Sequence, residues 1–174
     1  MIVYTGEGKG KTTAALGQAL RAVGQGLKVL MIQFLKGEWQ SGERVAAAHL
    51  PNFRLRPMGL GFTWNGRHSP EEHRAALRQA WQAAREALLS GEYDLVILDE
   101  LNNVFHIREF PVSDILTVEE VLATLAARPA HVHVLITGRG APPELIERAD
   151  LVTEMVAVKH PYALGRRATR GIEY

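Results

Sequence analysis

Thr5-Gly6-Glu7-Gly8-Lys9-Gly10-Lys11-Thr12-Thr13 stands between a short apolar run at residues 1–4 and a stretch of helical periodicity. That is the strand–loop–helix context in which a phosphate-binding loop works. Glycines let the backbone turn so that successive N–H groups point at an anion. The following helix adds free N–H groups and the positive end of its dipole. In such a loop Gly6, Glu7, Gly8, Lys9, Gly10, Lys11, Thr12 and Thr13 surround the phosphates, with Lys11 as a point charge. The Thr12 hydroxyl is then a ligand for Mg²⁺. The usual pattern has four residues between its first glycine and Gly-Lys-Ser/Thr, which puts that glycine at position 5, where Thr5 stands. Gly6 and Gly8 supply the flexibility instead.

Outward from the loop, apolar runs alternate with helical patterns, which predicts an α/β fold with a mostly parallel sheet. A helix is expected over residues 11–23, with a buried stripe of Ala15, Leu16, Ala19, Leu20 and Val23, ended by Gly24 and Gly26. Residues 28–34 (KVLMIQF) read as a strand covered on both faces. Residues 35–42 form a polar turn with Lys36, Gly37 and Trp39, residues 43–50 a short helix, and residues 53–56 a short strand. The clearest helix follows a glycine-rich loop. Ser69 is its N-cap, Pro70 its first residue, Glu72 completes a capping box, and Gly91 stops it. Leu77, Trp81, Ala84 and Leu88 make its buried stripe. Residues 94–100 (DLVILDE) predict a buried strand ending in two acids, and residues 101–110 an irregular segment or short helix. Thr117 with Glu120 is a second capping box, opening a helix to about Ala127. Strands are expected at residues 131–137 and 151–158, a short helix at 142–148, and a basic tail from Lys159.

The 174 residues suit one domain, spanning 1–174, with a substantial core. A formal net charge of +1 gives no global field favouring nucleic acid or membrane. There is no cysteine, which excludes disulfides, thiolate metal sites and cysteine nucleophiles, and fits a reducing cytoplasm. No apolar stretch approaches the ~20 residues that span a bilayer. Met1 opens the first strand, so no signal peptide is expected.

Three further places carry candidate chemistry. Asp99 and Glu100 end a buried strand where ligands bind in open parallel sheets. Either can hold Mg²⁺ directly or through water opposite Thr12, or the pair is merely solvated or caps the next helix. Arg139, in Gly138-Arg139-Gly140, and the Gln33 and Lys36 region end two other strands and can neutralise phosphate, or be surface residues of turns. Phe62 and Trp64 flank Thr63 in the glycine-bordered loop. Large aromatics there grip a flat ligand or cover a site, although they are more often anchors tucked into the core. The seven histidines are scattered and predict no metal site, although His131 and His133 share a strand face by period.

Taken together the stretches resemble the P-loop ATP:corrinoid adenosyltransferases. The resemblance rests on residues 5–13, Gln-Phe-Leu-Lys-Gly at 33–37, Gly-Phe-Thr-Trp at 61–64, Leu-Asp-Glu at 98–100 and Thr-Gly-Arg at 137–139. Ala-Asp-Leu-Val-Thr-Glu-Met at 149–155, Lys-His-Pro-Tyr at 159–162 and Gly-Ile-Glu-Tyr at 171–174 complete it. The loop with Thr5 in place of glycine is the form that family uses. Family members often carry an N-terminal extension that helps cover the site, whereas Met1 here falls almost inside the first strand.

The resemblance implies a RecA-like P-loop NTPase-type sheet and a defined reaction. A reduced corrinoid Co(I) attacks the 5′ carbon of ATP, and triphosphate leaves. Lys11 and Mg²⁺ stabilise the leaving group, with Thr12 and Asp99 or Glu100 on the metal and Arg139 on phosphate. Phe62 and Trp64 match an aromatic pair that removes the corrinoid's lower axial ligand, easing reduction of Co(II). The resemblance also implies a flavin-based electron donor and a homodimer. The competing readings are a small-molecule P-loop kinase and a RecA-like ATP-dependent switch. No long basic stripe points to nucleic acid.

Overall fold

The computed structural model describes residues 1–37, 41–161 and 165–172. Trp39, Tyr162, Glu173 and Tyr174, each part of a sequence motif above, lie outside the described residues. Strands β1 (Ile2–Thr5), β2 (Val29–Gln33), β3 (Phe53–Pro57), β4 (Leu95–Asp99), β5 (His133–Thr137) and β6 (Leu151–Glu154) form one six-stranded sheet. Its order is β3-β2-β4-β5-β1-β6 and every neighbouring pair is parallel, so the sheet is wholly rather than mostly parallel. The helices are α1 (Lys11–Gly24), α2 (Gly42–Ala47), α3 (Pro70–Ser90), α4 (Leu101–Val104), α5 (Val118–Ala127) and α6 (Pro143–Arg148).

Alternation along the strands divides the core into two layers. Val29, Met31, Leu95, Ile97 and Leu135 pack with α1 on one face. Leu30, Ile32, Val96, Leu98, Val134 and Ile136 pack with α3 and α5 on the other. Every residue of β2 and β4 is buried, which is why both read as unbroken apolar runs.

Helix α1 corrects the expected stripe. It buries Ala15, Ala19 and Ala22, while Leu20 is 59% exposed. Small alanines let the helix lie close on the sheet, and the larger leucine turns outward. Helix α3 follows its sequence signals closely. Glu72 N donates to Ser69 Oγ at 3.3 Å and Ser69 N donates to Glu72 Oε2 at 2.7 Å. Gly91 ends the helix in the left-handed conformation, φ 68°. Leu77, Trp81, Ala84 and Leu88 are buried as expected. Leu88 is fully enclosed, so Leu88→Ala is expected to cost about 2–5 kcal/mol of unfolding free energy in a urea titration.

The second capping box is only half formed. Glu120 N donates to Thr117 Oγ1 at 3.2 Å, but the Glu120 carboxylate accepts from Trp81 Nε1 at 2.8 Å. A tertiary partner has taken the group that local sequence assigns to the cap. Strand β5 begins at His133, leaving His131 outside it with Nε2 3.1 Å from the Gly91 carbonyl. Their expected shared face therefore does not form. Strand β6 stops at Glu154 rather than running to residue 158. The chain then turns toward the phosphate loop, where the Met155 carbonyl accepts from Gly8 N at 2.6 Å.

Candidate active site

Because all strands run the same way, β1, β2, β4 and β5 open their carboxyl ends on one edge. Register places Gln33 beside Asp99, and Tyr4 beside Thr137. The loop after β1 lies on that edge. Gly6 and Gly10 take φ 91° and 115°, a region costly for residues with a Cβ. A Cβ on Gly6 would lie 2.5 Å from the Met155 carbonyl oxygen, and one on Gly8 2.7 Å from it. Both glycines are thus demanded by the strand-end segment packed against the loop. Thr5 still belongs to β1, and its Oγ1 accepts from Ala141 N at 3.1 Å. That explains the displaced glycine pattern: position 5 is a strand residue that ties down the loop after β5.

Lys11 opens α1 and curls back over the loop. Its Nζ donates to the carbonyls of Gly6 at 2.6 Å and Gly8 at 2.7 Å. Burial lowers its pKa first, with the Arg139 charge adding to the effect, while Glu7 and Glu100 oppose it. Beside it lies an open cavity of about 750 Å³, lined among others by Thr12, Lys36, Glu100, Asn103 and Arg139. Glu7, Gly8, Lys9, Gly10, Lys11 and Thr13 border the same space. The sequence-predicted phosphate residues are therefore gathered in one place. Gly6 sits behind them, against Met155.

The two acids play different structural parts. Asp99 is fully buried. It accepts from Thr12 Oγ1 at 2.9 Å, Thr137 Oγ1 at 2.7 Å and Gln33 Nε2 at 3.0 Å. Burial pushes its pKa up, and these three donors work against that shift. Glu100 instead lines the cavity. Among the described residues it is the one non-glycine with positive φ, 63°, a strained placement of the kind that clusters at functional sites. Its N–H donates to Thr137 Oγ1 at 2.9 Å. Burial and then the Asp99 charge raise its pKa to about 7.

Arg139 crosses from the loop after β5, its Nε 3.3 Å from Glu7 Oε2. Lys36 pairs with Glu43 at the start of α2. Sequence reasoning did not single out Glu43, Asn103 or the Thr137 hydroxyl. Thr137 was legible as another strand end in a parallel sheet, whereas Asn103 and Glu43 carry no local signal. Ile172 meets the loop, its carbonyl accepting from Lys9 Nζ at 3.0 Å.

Phe62 and Trp64 do not line this cavity. Nor are they core anchors: they are 51% and 71% exposed, with ring centroids 5.0 Å apart and planes tilted by 32°. The root of their loop is fixed on the turn after β2. Gly61 N donates to the Leu35 carbonyl at 2.8 Å, and a Cβ on Gly59 would lie 2.4 Å from Leu35 C. The loop that bears the aromatic pair is therefore packed on the turn that leads from Gln33 to Lys36.

Beneath it His73 is buried, stacked on Phe110 at 5.8 Å and edge-on to His68 at 5.9 Å. Burial, followed by His68, lowers the His73 pKa, while Glu72 and Glu109 act in the other direction. A depressed histidine pKa means the folded state binds fewer protons than the unfolded one. Its contribution to stability is present above the ordinary value of 6.5 and is lost as pH falls through the folded pKa. Thermal melts from pH 7.5 to 5.5 are expected to show a falling Tm, and His73→Leu to flatten part of that slope.

Among the described residues no group of three His, Cys, Asp or Glu side chains is placed to hold a metal by itself. Among them, too, no helix is long and apolar enough to cross a membrane.

A parallel sheet with a glycine-rich loop, a lysine and threonine opening α1, and a buried aspartate on that threonine define a P-loop NTPase-like α/β protein. The particular family follows from comparison with known proteins. The family model described as ATP:corrinoid adenosyltransferase BtuR/CobO/CobP matches residues 1–174. The chain is 44% identical to the corrinoid adenosyltransferase of Escherichia coli K12 and 43% identical to corrinoid adenosyltransferase CobA of Salmonella typhimurium, covering all of itself and 85% of each. It is 40% identical to the corrinoid adenosyltransferase of Pseudomonas aeruginosa, again over its full length and 83% of that relative. The chain belongs to the ATP:corrinoid adenosyltransferase family of enzymes.

Proposed function

We propose that this chain, acting as one domain over residues 1–174, transfers the 5′-deoxyadenosyl group of ATP to the Co(I) centre of a corrinoid and releases triphosphate. The observation that carries this reading is the pairing of two features. A cation-lined cavity suits a polyphosphate, and an exposed Phe62–Trp64 pair is rooted on the turn that also leads to Lys36 in that cavity. A kinase or switch accounts for the first feature and not for the second.

In the proposed reaction the cobalt electron pair forms the Co–C bond, the C5′–O bond breaks, and its electrons leave on the triphosphate. The nucleophile belongs to the substrate, so the protein needs no Ser or Cys for that role. Its work is positioning and stabilising charge on the leaving group. Lys11 exchanges the Gly6 and Gly8 carbonyls for phosphate oxygens, and Arg139 exchanges Glu7. The N–H groups of residues 9–12 complete the cradle, Gly8 N–H being held by the Met155 carbonyl.

The donor set fits Mg²⁺, a hard cation that takes oxygen ligands and keeps several waters. With Thr12 donating its proton to Asp99, its lone pairs are left for a cation, and Glu100 offers a carboxylate from the cavity wall. On this reading Thr12 and Glu100 hold the metal, and Asp99 orients Thr12 from behind. Bound there, Mg²⁺ would supply charge neutralisation for the triphosphate. Family resemblance supports a reduced flavin as electron donor, a homodimeric assembly and a cytoplasmic location.

The test is to incubate the protein with Mg-ATP, a corrinoid and a chemical reductant, and to follow the corrinoid spectrum. A light-sensitive Co–C product supports the reading. Formation of ADP with a phosphorylated acceptor, or of ADP and phosphate with an unchanged corrinoid, contradicts it.

A further inference from the structure

Three successive backbone groups of the loop after β5 are held by α4 and the turn that follows it. Asn102 Nδ2 donates to the Gly138 carbonyl at 3.3 Å, and Arg139 N donates to Asn103 Oδ1 at 2.6 Å. His106 Nε2 lies 2.6 Å from the Gly140 carbonyl. A carbonyl only accepts, so the His106 proton sits on Nε2. The packing is as close as the hydrogen bonding. A Cβ on Gly138 would lie 2.8 Å from Asn103 Oδ1, and one on Gly140 2.5 Å from His106 Nε2.

Helix α4 starts directly after Glu100, whose N–H is bonded to Thr137 Oγ1. The ends of β4 and β5 are therefore joined along the cavity rim, where Asn103 and Arg139 both face the space. Arg139 stands between two glycines with φ 133° and 57°. Such a loop is free to move unless something outside it fixes the backbone.

We propose that Asn103 is a positioning residue for Arg139: its side-chain oxygen pins the arginine's amide, so that the guanidinium projects over the phosphate loop toward the polyphosphate of a nucleoside triphosphate. The proposal rests on the phosphate role given to Arg139 above. Pre-fixing the backbone removes ordering cost from each contact that the guanidinium makes. An amide suits the place better than a carboxylate, because it accepts the hydrogen bond without setting a like charge beside the polyphosphate.

The experiment is a double-mutant cycle of Asn103→Ala and Arg139→Ala. It is read by calorimetric titration with ATP and by initial rates with chemically reduced corrinoid. Asn103→Ala is expected to weaken ATP binding and raise KM for ATP about tenfold, the scale of a lost hydrogen bond that leaves its donor unpaired. KM for the corrinoid stays unchanged. In the Arg139→Ala background the same substitution adds less than about twofold, because nothing remains for it to position. Two single effects that multiply in the double variant overturn the proposal. Wild-type ATP affinity in Arg139→Ala overturns the phosphate role of Arg139 and the proposal with it. If Asn103→Ala lacks a cooperative melt, Asn103→Leu, which keeps the side chain's size but offers no acceptor, takes its place in the cycle.

Discussion

Lys11→Met is expected to lower kcat/KM for ATP by about a thousandfold, the upper range for removing one preorganised group from developing negative charge. The side chain already lies over the loop, bonded to the Gly6 and Gly8 carbonyls. It has only to exchange these acceptors for phosphate oxygens. Its burial disfavours the charged form, so holding the ammonium there costs the fold some stability. Removing the charge therefore should not unfold the chain. The Tm of Lys11→Met is expected to stay within a few degrees of wild type while activity collapses. Lys11→Arg is expected to restore little, because a planar guanidinium does not replace a compact ammonium in a loop this close. Activity within tenfold of wild type in Lys11→Met, measured by initial rates at saturating corrinoid, would remove the lysine from the reaction.

Phe62→Ala and Trp64→Ala are expected to lower turnover from Co(II) corrinoid by about a hundredfold, while turnover from chemically supplied Co(I) falls less than about threefold. The split follows from where the proposed work is done. An aromatic wedge that strips the lower axial ligand acts on the reduction step, since axial ligation sets metal potential. For a one-electron couple each tenfold in the equilibrium corresponds to ~59 mV. The pair is exposed and tilted, and the root of its loop is packed on the turn after β2 at Gly59 and Gly61. Truncating exposed rings should leave the fold intact, so the comparison is not confounded by stability. Equal losses with both substrates would sink the wedge assignment.

Much of the fold was legible because local and tertiary signals agree. β2 and β4 are buried on both faces, so their apolar runs announced them. Ser69, Pro70, Glu72 and Gly91 marked both ends of α3 because the helix uses all four. Legibility failed where a distant partner claimed a group. Glu120 reads as a cap residue, yet Trp81 holds its carboxylate. Leu20 fits a helical stripe, yet the sheet accepts alanines there. β6 ends early because Met155 turns to meet Gly8.

In the site, strand-end placement pointed to Asp99, Glu100 and Arg139, since a parallel sheet gathers such ends, and the same argument reaches Thr137, which was not singled out. Spacing alone did not separate the roles of the two acids. That required seeing both Asp99 oxygens engaged and Glu100 facing the cavity. Asn103 was invisible for a related reason. Its partner, the Arg139 amide, lies 36 positions away, beyond α5 and β5.

The proposed chemistry breaks only the bond between the ribose 5′ carbon and the triphosphate oxygen. An ATP analogue with a methylene bridge between its β and γ phosphorus atoms blocks γ-phosphoryl transfer and hydrolysis but leaves that bond alone. The decisive measurement supplies this analogue with chemically reduced corrinoid and identifies the phosphorus product by ³¹P NMR. Adenosylated corrinoid with the intact bridged triphosphate is the expected result. Loss of corrinoid adenosylation with the analogue, alongside ADP formation from ATP, would contradict the proposed reaction.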